Sequence, residues 1–154
     1  MKVSLQRVSE ASAIVLNELG TPDPTLDMVQ IGPGLVLTIE VEPDDDEGTL
    51  ARMAHRVLTL RCFDCPQGRL SLSVQKMHGE ILSIPQPLTI LRRPAIGRPQ
   101  LVSHNDDDEH ANLMWIRFNE ALRSGNVPVR EGRFGARMRV GSIADGPFQF
   151  TLQE

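Results

Sequence analysis

Alternating apolar and polar residues predict strands in the first part of the chain. Residues 3–8 alternate with a period of two, which is typical of a half-buried strand, and a shorter apolar run follows at 13–16. We expect these two segments to pair as a hairpin. Residues 17–27 contain a glycine and two prolines and predict a loop. The turn sequence at 31–34 then leads into the aliphatic run 35–41, which predicts a central strand.

Two later segments have the apolar spacing of amphipathic helices. The first places apolar side chains on one helical face at Leu50, Met53, Ala54, Val57 and Leu58. The second does so at Ala111, Met114, Trp115, Phe118, Ala121 and Leu122, and it stops at Gly125. An acidic run precedes each helix, at 44–47 and 106–109, where carboxylates cap the first turn and complement the helix dipole.

Strands account for most of the remaining chain. The predicted segments are 70–74, 80–84, 136–144 and 148–152, and a bend at Asp145-Gly146-Pro147 joins the last two. The resulting order, β, β, β, α, β, β, α, β, β, predicts an α+β fold with a mainly antiparallel sheet and two principal helices packed outside it. A chain of 154 residues, of which 40% are hydrophobic, predicts one domain over residues 1–154.

Prolines mark the end of the strand at 80–84. Pro85 and Pro87 each remove a backbone donor, so residues 85–89 do not fit the middle of a fully paired sheet. We expect this segment at a sheet edge or in the wall of a pocket, and a loop over residues 92–105. The simpler alternative is that both prolines only end strands.

Charge and targeting signals narrow the possible partners. A net charge of −4 argues against nonspecific coating of duplex nucleic acid, yet it leaves a local contact with an RNA end open. No apolar run approaches the roughly 20 residues that a membrane-crossing helix needs, and residues 1–7 lack the apolar stretch of a secretory signal. We therefore expect a cytoplasmic protein that makes no membrane contact.

Few side chains suggest metal or triad chemistry. Cys62 and Cys65 have CxxC spacing, which suits a metal or a dithiol, but no second cysteine pair completes a zinc site. The acidic runs, even with His104 and His110 beside the second one, are better explained as helix caps than as cation sites. Spacing indicates no Ser-His-Asp arrangement. We expect no cofactor and no metal.

Three features remain as candidates for a site: Arg7 near a strand end, residues 85–89, and the Gly146-Pro147 turn. Two rigid backbone turns and one arginine suit a pocket whose contacts come mainly from main-chain atoms. The arginines at 92–98 and 130–139 form two further clusters, most of which are expected to be solvated surface charge.

With these motifs in this order, the chain resembles the D-aminoacyl-tRNA deacylases from end to end. The matching blocks are Leu5-Gln6-Arg7-Val8-Ser9 with Ala11-Ser12, Ile31-Gly32-Pro33-Gly34-Leu35, Arg56-Val57-Leu58, Leu72-Ser73-Val74-Gln75, Arg98-Pro99, Gly132-Arg133-Phe134-Gly135-Ala136 and Asp145-Gly146-Pro147. The resemblance implies a closed, barrel-like domain that works as a homodimer. It also implies hydrolysis of the ester that joins a D-amino acid or glycine to the terminal adenosine of tRNA, which is a proofreading step in translation.

The resemblance assigns roles to individual residues. Gly146 and Pro147 match a turn that enters the partner subunit's site and excludes L residues by collision, and Arg7 matches the arginine that braces this turn. Gln86 matches the glutamine of the opposing motif, where backbone donors are expected to stabilise the oxyanion. The acceptor end of tRNA is expected to contact Arg92, Arg93 and Arg98.

Two motifs depart from the family pattern. The usual Ser-Gln-Phe-Thr-Leu has Pro85 at its Ser, Pro87 at its Phe and Leu88 at its Thr, which displaces the threonine hydroxyl to Thr89. In the usual Asn-X-Gly-Pro-X-Thr, alanine and glutamine stand at 144 and 149. Three outcomes stay open. The chain is a deacylase that works through backbone groups, a noncatalytic paralogue that binds an RNA end or a protein, or a deacylase acting on L-alanyl-tRNA.

Overall fold

The computed structural model describes the backbone of residues 1–86, 89–92, 100–103 and 108–154, and the side chains of residues 1–86 and 109–154. Its elements in chain order are β1 (Lys2–Val15), β2 (Val29–Ile31), β3 (Gly34–Glu40), α1 (Glu47–Thr59), β4 (Phe63–Asp64), β5 (Leu70–Leu72), β6 (Glu80–Pro85), β7 (Thr89–Arg92), β8 (Gln100–Ser103), α2 (Asp108–Ser124), β9 (Val129–Glu131) and β10 (Met138–Gln153).

The main sheet has the strand order β10-β1-β3-β6-β9, and β2 pairs with β1 beyond the end of β3. Strand β1 is antiparallel to β10, β2 and β3, whereas β3-β6 and β6-β9 are parallel pairs. Each parallel pair is connected through a helix, since parallel neighbours need a long crossover. The predicted α+β fold, with a barrel-like and mainly antiparallel sheet and two helices, is confirmed.

Strands β1 and β10 correct two of our predictions. The segments 3–8 and 13–16 do not form a hairpin but belong to one strand of 14 residues, and 136–144 and 148–152 contribute to one strand of 16 residues. These two long strands pair with each other along almost their whole length. The sequence suggested breaks because both strands contain a bulge, where the period of two is interrupted.

The bulge in β1 changes which face of the sheet its side chains occupy. Val8 is opposite Ala144 and Glu10 is opposite Ile143, so Ser9 is an extra residue on β1. Before the bulge, Val3 and Leu5 pack under the helices, and after it Ala11 and Ala13 pack on the other face with Leu82 and Ile84. One inserted residue reverses the parity of a strand. The second half of β1 thereby contributes to a second buried cluster, and the sheet as a whole is nearly closed and barrel-like.

Smaller differences concern the middle of the chain. Strand β5 is shorter than the predicted 70–74 and pairs with β4, and β9 was not predicted. Part of the predicted loop 92–105 belongs to a hairpin, because β7 pairs with β8. The loop at 17–27 holds only one isolated bridge, between Leu16 and Pro22.

Both predicted helices are confirmed, and their apolar faces form the main core. All five residues named for α1 are buried, and of those named for α2 only Ala121 is partly exposed. Burial of each large side chain contributes on the order of 1.5–3 kcal/mol. Asp46 is the N-cap of helix α1, and its side chain accepts a 2.8 Å bond from the Thr49 N–H. No helix in the described part of the chain is long and apolar enough to cross a membrane.

A buried polar network joins α2 to β6. The Ser83 hydroxyl, which is fully buried, accepts a 2.9 Å bond from the Trp115 indole N–H and donates a 2.6 Å bond to Asn119 Oδ1. Buried polar groups in such a network depend on one another, because a lost partner leaves the others unsatisfied. Ser83 lies two residues before Pro85, so the network also fixes the end of β6.

We expect Ser83→Ala to lower the free energy of unfolding by about 1–3 kcal/mol, because it leaves buried groups of Trp115 and Asn119 without a partner. Chemical unfolding at one protein concentration measures the change. Ser124→Ala is the matched control, since it removes an exposed hydroxyl that donates only to the Ala121 carbonyl. A loss no larger than that of the control would contradict a stabilising role for the network.

Candidate active site

The Gly146-Pro147 corner is a bulge of β10 that faces Arg7. Gln6 pairs with Gln149 and Val8 pairs with Ala144, so the four residues 145–148 face the single residue Arg7. The extra residues leave the ladder and project from the strand. Gly146 and Pro147 are exposed, and the peptide bond between them is cis. The structure thus places this segment opposite Arg7, and the role predicted for it stays a prediction.

Arg7 is buried and holds the corner through its guanidinium group. Its Nε donates a 2.9 Å bond to the Asp145 carbonyl, and its Nη1 donates a 2.7 Å bond to the Cys62 carbonyl. Carboxylate oxygens of Asp145 and Asp64 lie 3.3 and 3.5 Å from Nε and Nη1. The guanidinium carbon is 5.3 Å from the centre of the Phe148 ring, within the range of a cation–π contact. Arg7 therefore connects β1, β4 and β10.

Only glycine fits at position 146. Its φ of +127° lies in a region that residues with a Cβ rarely adopt. A Cβ built there would lie 2.9 Å from Arg7 Nη2 and 3.2 Å from the Phe148 backbone nitrogen. The corner and its brace are in direct contact, which leaves no space for a side chain between them.

Apolar side chains surround the corner on an open strand edge. Phe148 and Phe150 contact each other edge to face, with ring centres 4.4 Å apart. Val140, Ile143 and Phe150 on β10 are 42%, 55% and 41% exposed. The outer edge of β10 pairs with no strand of the described residues. A long exposed edge with apolar side chains is characteristic of a surface that another chain covers.

The opposing motif lies at the carboxyl end of β6. Pro85 is buried and opposite Ile39 on β3, where it ends the strand. Gln86 is exposed, and its backbone N–H donates a 2.8 Å bond to the Ile39 carbonyl. This N–H is thus used by the sheet and not by a ligand. Pro85 lies at the end of a strand. This position fits both roles that we considered for it, which are to end the strand and to form the wall of a pocket.

An apolar cleft of about 240 Å³ opens near the end of β6 and is lined in part by Val15, Val29 and Met138. A Cβ at Gly132, which also lines it, would lie 3.1 Å from Ile84 Cδ1 and 2.8 Å from Met138 Sδ. We did not single out Gly132 or Met138 as site residues. The block Gly132–Ala136 was the sequence signal that could have pointed to this cleft. We used it to support the resemblance and assigned no role to its residues.

A larger cleft of about 840 Å³ opens at the other end of β6. Glu80 and Arg130 line it, together with the hydroxyls of Ser9, Ser12 and Ser142. Glu80 Oε2 accepts a 2.6 Å bond from the Gly32 N–H. None of the residues that we predicted for the site lies in this cleft.

Among the described residues, the corner and the start of the opposing motif at Pro85 and Gln86 do not meet within one chain. Pro85 is opposite Ile39, Ile39 is opposite Val3, and Arg7 lies four residues further along β1. Two strand spacings give about 10 Å across the sheet, and four residues give about 13 Å along it. The corner lies on the far side of β1 from β6. A single aminoacyl group is too small to contact both.

Several predicted residues cannot be compared in full. Thr89 and Arg92 lie on β7, but their side chains are outside the described residues. The whole of Pro87, Leu88, Arg93 and Arg98 is outside them as well. The roles predicted for these residues stay predictions.

The CxxC cysteines are free and have different environments. Burial raises the pKa of the Cys62 thiol to about 11. A hydrogen bond with Ser71 and bonds to backbone groups lower the pKa of Cys65. The described residues contain no group of three or more His, Cys, Asp or Glu side chains that could hold a metal ion.

Comparisons with known proteins identify the family of the chain. The family model described as D-Tyr-tRNA(Tyr) deacylase matches residues 4–153. A D-aminoacyl-tRNA deacylase of Bifidobacterium longum subsp. infantis is 53% identical over 152 residues, which is 99% of this chain and 93% of that protein.

Two solved structures are similar to the whole chain. One is described as a c-Myc DNA unwinding element binding protein, with a TM-score of 0.79, 28% identity, and coverage of 100% of this chain and 99% of its own. The other is described as a probable eukaryotic D-amino acid tRNA deacylase, with a TM-score of 0.71 and 17% identity, covering 98% of this chain and 97% of its own. At that identity the second match shows the fold alone.

We expect Gly146→Ala to lower the free energy of unfolding by about 2–3 kcal/mol, because the methyl group meets both an unfavourable φ and close neighbours. Gly68→Ala is the matched control. Gly68 also has a positive φ, of 73°, but a Cβ there meets nothing within 4 Å. Its substitution reports the cost of a φ near the left-handed helical value without a collision, about 1 kcal/mol, whereas the φ of 127° at Gly146 is further from that value and adds to the cost of the close contacts. Equal losses in the two variants, measured by chemical unfolding, would show that Arg7 does not confine the corner.

Proposed function

The chain belongs to the D-Tyr-tRNA(Tyr) deacylase family, and we propose that it proofreads translation as a homodimer. It is a hydrolase that cleaves the ester bond of mischarged aminoacyl-tRNA, of which D-aminoacyl-tRNA is the family's substrate. We further propose glycyl-tRNA as a substrate, and the cytoplasm, where translation takes place, as the location. The acceptor end of tRNA is the partner in this reaction.

The observation that carries the dimer is the separation of the two parts of the site. The corner projects from the edge of one sheet, and the end of β6 lies two strands and several residues away from Arg7. In a twofold assembly, each chain can supply its corner to the motif of the other. The exposed apolar side chains of β10 provide a surface for that assembly.

Selection in this site rests on exclusion by the backbone. The corner is held by Arg7 and contains no side chain at Gly146. A fixed backbone segment near the substrate's Cα leaves space for a hydrogen atom but not for a side chain of the opposite configuration. Rejection by collision needs no favourable contact with the accepted amino acid. One site of this kind accepts D-amino acids with different side chains, and glycine.

Hydrolysis requires stabilisation of the oxyanion that forms at the ester carbonyl. Pro85 and Pro87 have no N–H, and the Gln86 N–H is bound to Ile39. We therefore propose the backbone N–H of Leu88 as the oxyanion donor of this motif. The Gln86 side chain is exposed and is proposed to contact the substrate, as are Pro85 and Pro87.

Two further roles complete the proposed site. The hydroxyl of Thr89 is proposed to assist at the ester, in place of the threonine that the usual motif has one residue earlier. Phosphates of the acceptor end are proposed to bind Arg92, Arg93 and Arg98, whose guanidinium groups suit bidentate contacts. These contacts set the register of the RNA and do not select the amino acid.

Hydrolysis of charged tRNA tests the function directly. We expect the purified protein to release the amino acid from D-tyrosyl-tRNA and glycyl-tRNA faster than from L-tyrosyl-tRNA, measured as loss of radiolabelled aminoacyl-tRNA. The same esters in buffer alone are the control. Preferential hydrolysis of L-alanyl-tRNA would show reversed chirality, and salt-sensitive tRNA binding without release from any ester would show a noncatalytic protein. Either result contradicts the proposal.

Complementation tests whether a site contains parts of two chains. Gly146→Val disrupts the corner and is expected to lose the distinction between D and L esters, whereas Gln86→Arg blocks the motif with a larger side chain at an exposed position and is expected to be inactive. A heterodimer of the two, purified through two different tags, contains one site with a natural corner and a natural motif, so we expect about half of the wild-type activity with the wild-type D-to-L ratio. The low D-to-L ratio of Gly146→Val in the purified heterodimer would place both parts in one chain.

A further inference from the structure

Arg7 has two ends that contact different parts of the molecule. Its Nε faces the corner, where it bonds to the Asp145 carbonyl at 2.9 Å and lies 3.3 Å from the Asp145 carboxylate. Its Nη1 faces β4, where it bonds to the Cys62 carbonyl at 2.7 Å and lies 3.5 Å from the Asp64 carboxylate. The guanidinium thus lies between two acidic residues of different segments.

Only the contacts with β4 connect Arg7 to a part of the chain that is independent of the corner. Asp145 and Phe148 belong to the same bulge as Gly146, so they move with it. Cys62 and Phe63, by contrast, are buried in the main core beside the helices. The guanidinium is planar, with donors in a fixed fork, so bonds at both ends determine its orientation. The position of the corner therefore depends on that of β4 through Arg7.

We propose that Asp64 is a positioning residue that orients Arg7 and, through it, the Gly146-Pro147 corner. Asp64 does not contact the substrate. It determines how closely the corner is held, and hence how strictly the enzyme distinguishes a D residue from an L residue. The inference rests on the proposed function, because it assigns to Asp64 a share of the stereochemical selection. The hairpin of β4 and β5 thereby contributes to substrate specificity.

The size of the effect follows from the exposure of the two acids. The side chains of Asp64 and Asp145 are 55% and 56% exposed, whereas that of Arg7 is 8% exposed. An ion pair open to water on one side is worth little and is weakened by salt. We therefore expect Asp64→Ala to lower the ratio of kcat/KM for D-tyrosyl-tRNA over L-tyrosyl-tRNA by about two- to fivefold. The change arises mainly from faster hydrolysis of the L ester.

Three variants and a control separate positioning from general destabilisation. Asp64→Asn is expected to lower the ratio by less than Asp64→Ala, and Asp64→Glu is expected to restore most of it. Asp44→Asn is the control, because it neutralises an exposed carboxylate on the loop before α1 and is expected to leave the ratio unchanged. Thermal unfolding of every variant shows whether the fold is retained.

Salt dependence distinguishes positioning through an ion pair from a purely structural role. Added salt would not change the D-to-L ratio if the role of Asp64 were only structural. Both esters carry the same RNA, so the effect of salt on RNA binding cancels in their ratio. We expect added salt to lower the D-to-L ratio of the wild type and to have little effect on that of Asp64→Ala. Equal ratios in wild type and Asp64→Ala, at low salt and with the fold intact, would overturn the proposal.

A readout that needs no activity keeps this inference distinct from the proposed function. Exchange of the Arg7 guanidinium protons with water, measured by ¹⁵N-resolved NMR, is expected to be slow in the wild type and several-fold faster in Asp64→Ala. If the wild type hydrolyses no ester, the proposed function is wrong, and the exchange rates still decide whether Asp64 orients Arg7. Equal exchange rates in the two proteins would show that it does not.

Discussion

One buried guanidinium connects three segments that are distant in the sequence. Arg7 joins the middle of β1 to the start of β4 and to the bulge of β10 through two carbonyls and two carboxylates. A charge taken out of water at this depth costs several kcal/mol unless its hydrogen bonds are satisfied and opposite charges are near. Each partner therefore stabilises the others through Arg7. Movement of the corner would cost Arg7 its bond to the Asp145 carbonyl and the neighbouring carboxylate.

The bulge that forms the corner lies on an exposed edge of the sheet. A bulge of four residues disturbs a sheet least where the outer side of its strand has no neighbouring strand, and among the described residues β10 is such an edge. That edge also carries exposed valine, isoleucine and phenylalanine side chains. An open apolar edge of 16 residues favours association between chains. The edge that presents the corner is thus also the surface on which we propose that a second subunit binds.

The sequence predicted those parts of the fold that depend on local periodicity. Both helices were found because their buried faces repeat at the helical period. The strand at 35–41 was found from its run of aliphatic residues, and the strand predicted at 80–84 is buried at nearly every residue and not at alternate ones. The extra residue Ser9 and the four-residue bulge facing Arg7 were not found, because a bulge appears in a sequence only as a break in alternation. The same breaks led us to divide both long strands. For the site, Arg7 and the Gly-Pro turn were candidates from the sequence itself and received their roles from the resemblance, whereas Asp64 and Met138 depend on long-range packing that no spacing reveals.

The altered motif is easier to understand when the main chain, and not the side chains, is taken as the reactive surface. A site that depends on a serine or threonine hydroxyl loses its function when prolines and leucine replace those residues. A site that depends on backbone N–H groups depends instead on where the chain leaves the sheet. Pro85 ends β6, the Gln86 N–H donates to the Ile39 carbonyl, and Pro87 has no N–H, so the next N–H along the chain belongs to Leu88. The two prolines thus reduce the number of backbone groups that compete with Leu88, the donor that we propose. Loss of the hydroxyl motif is consequently compatible with an ester hydrolase.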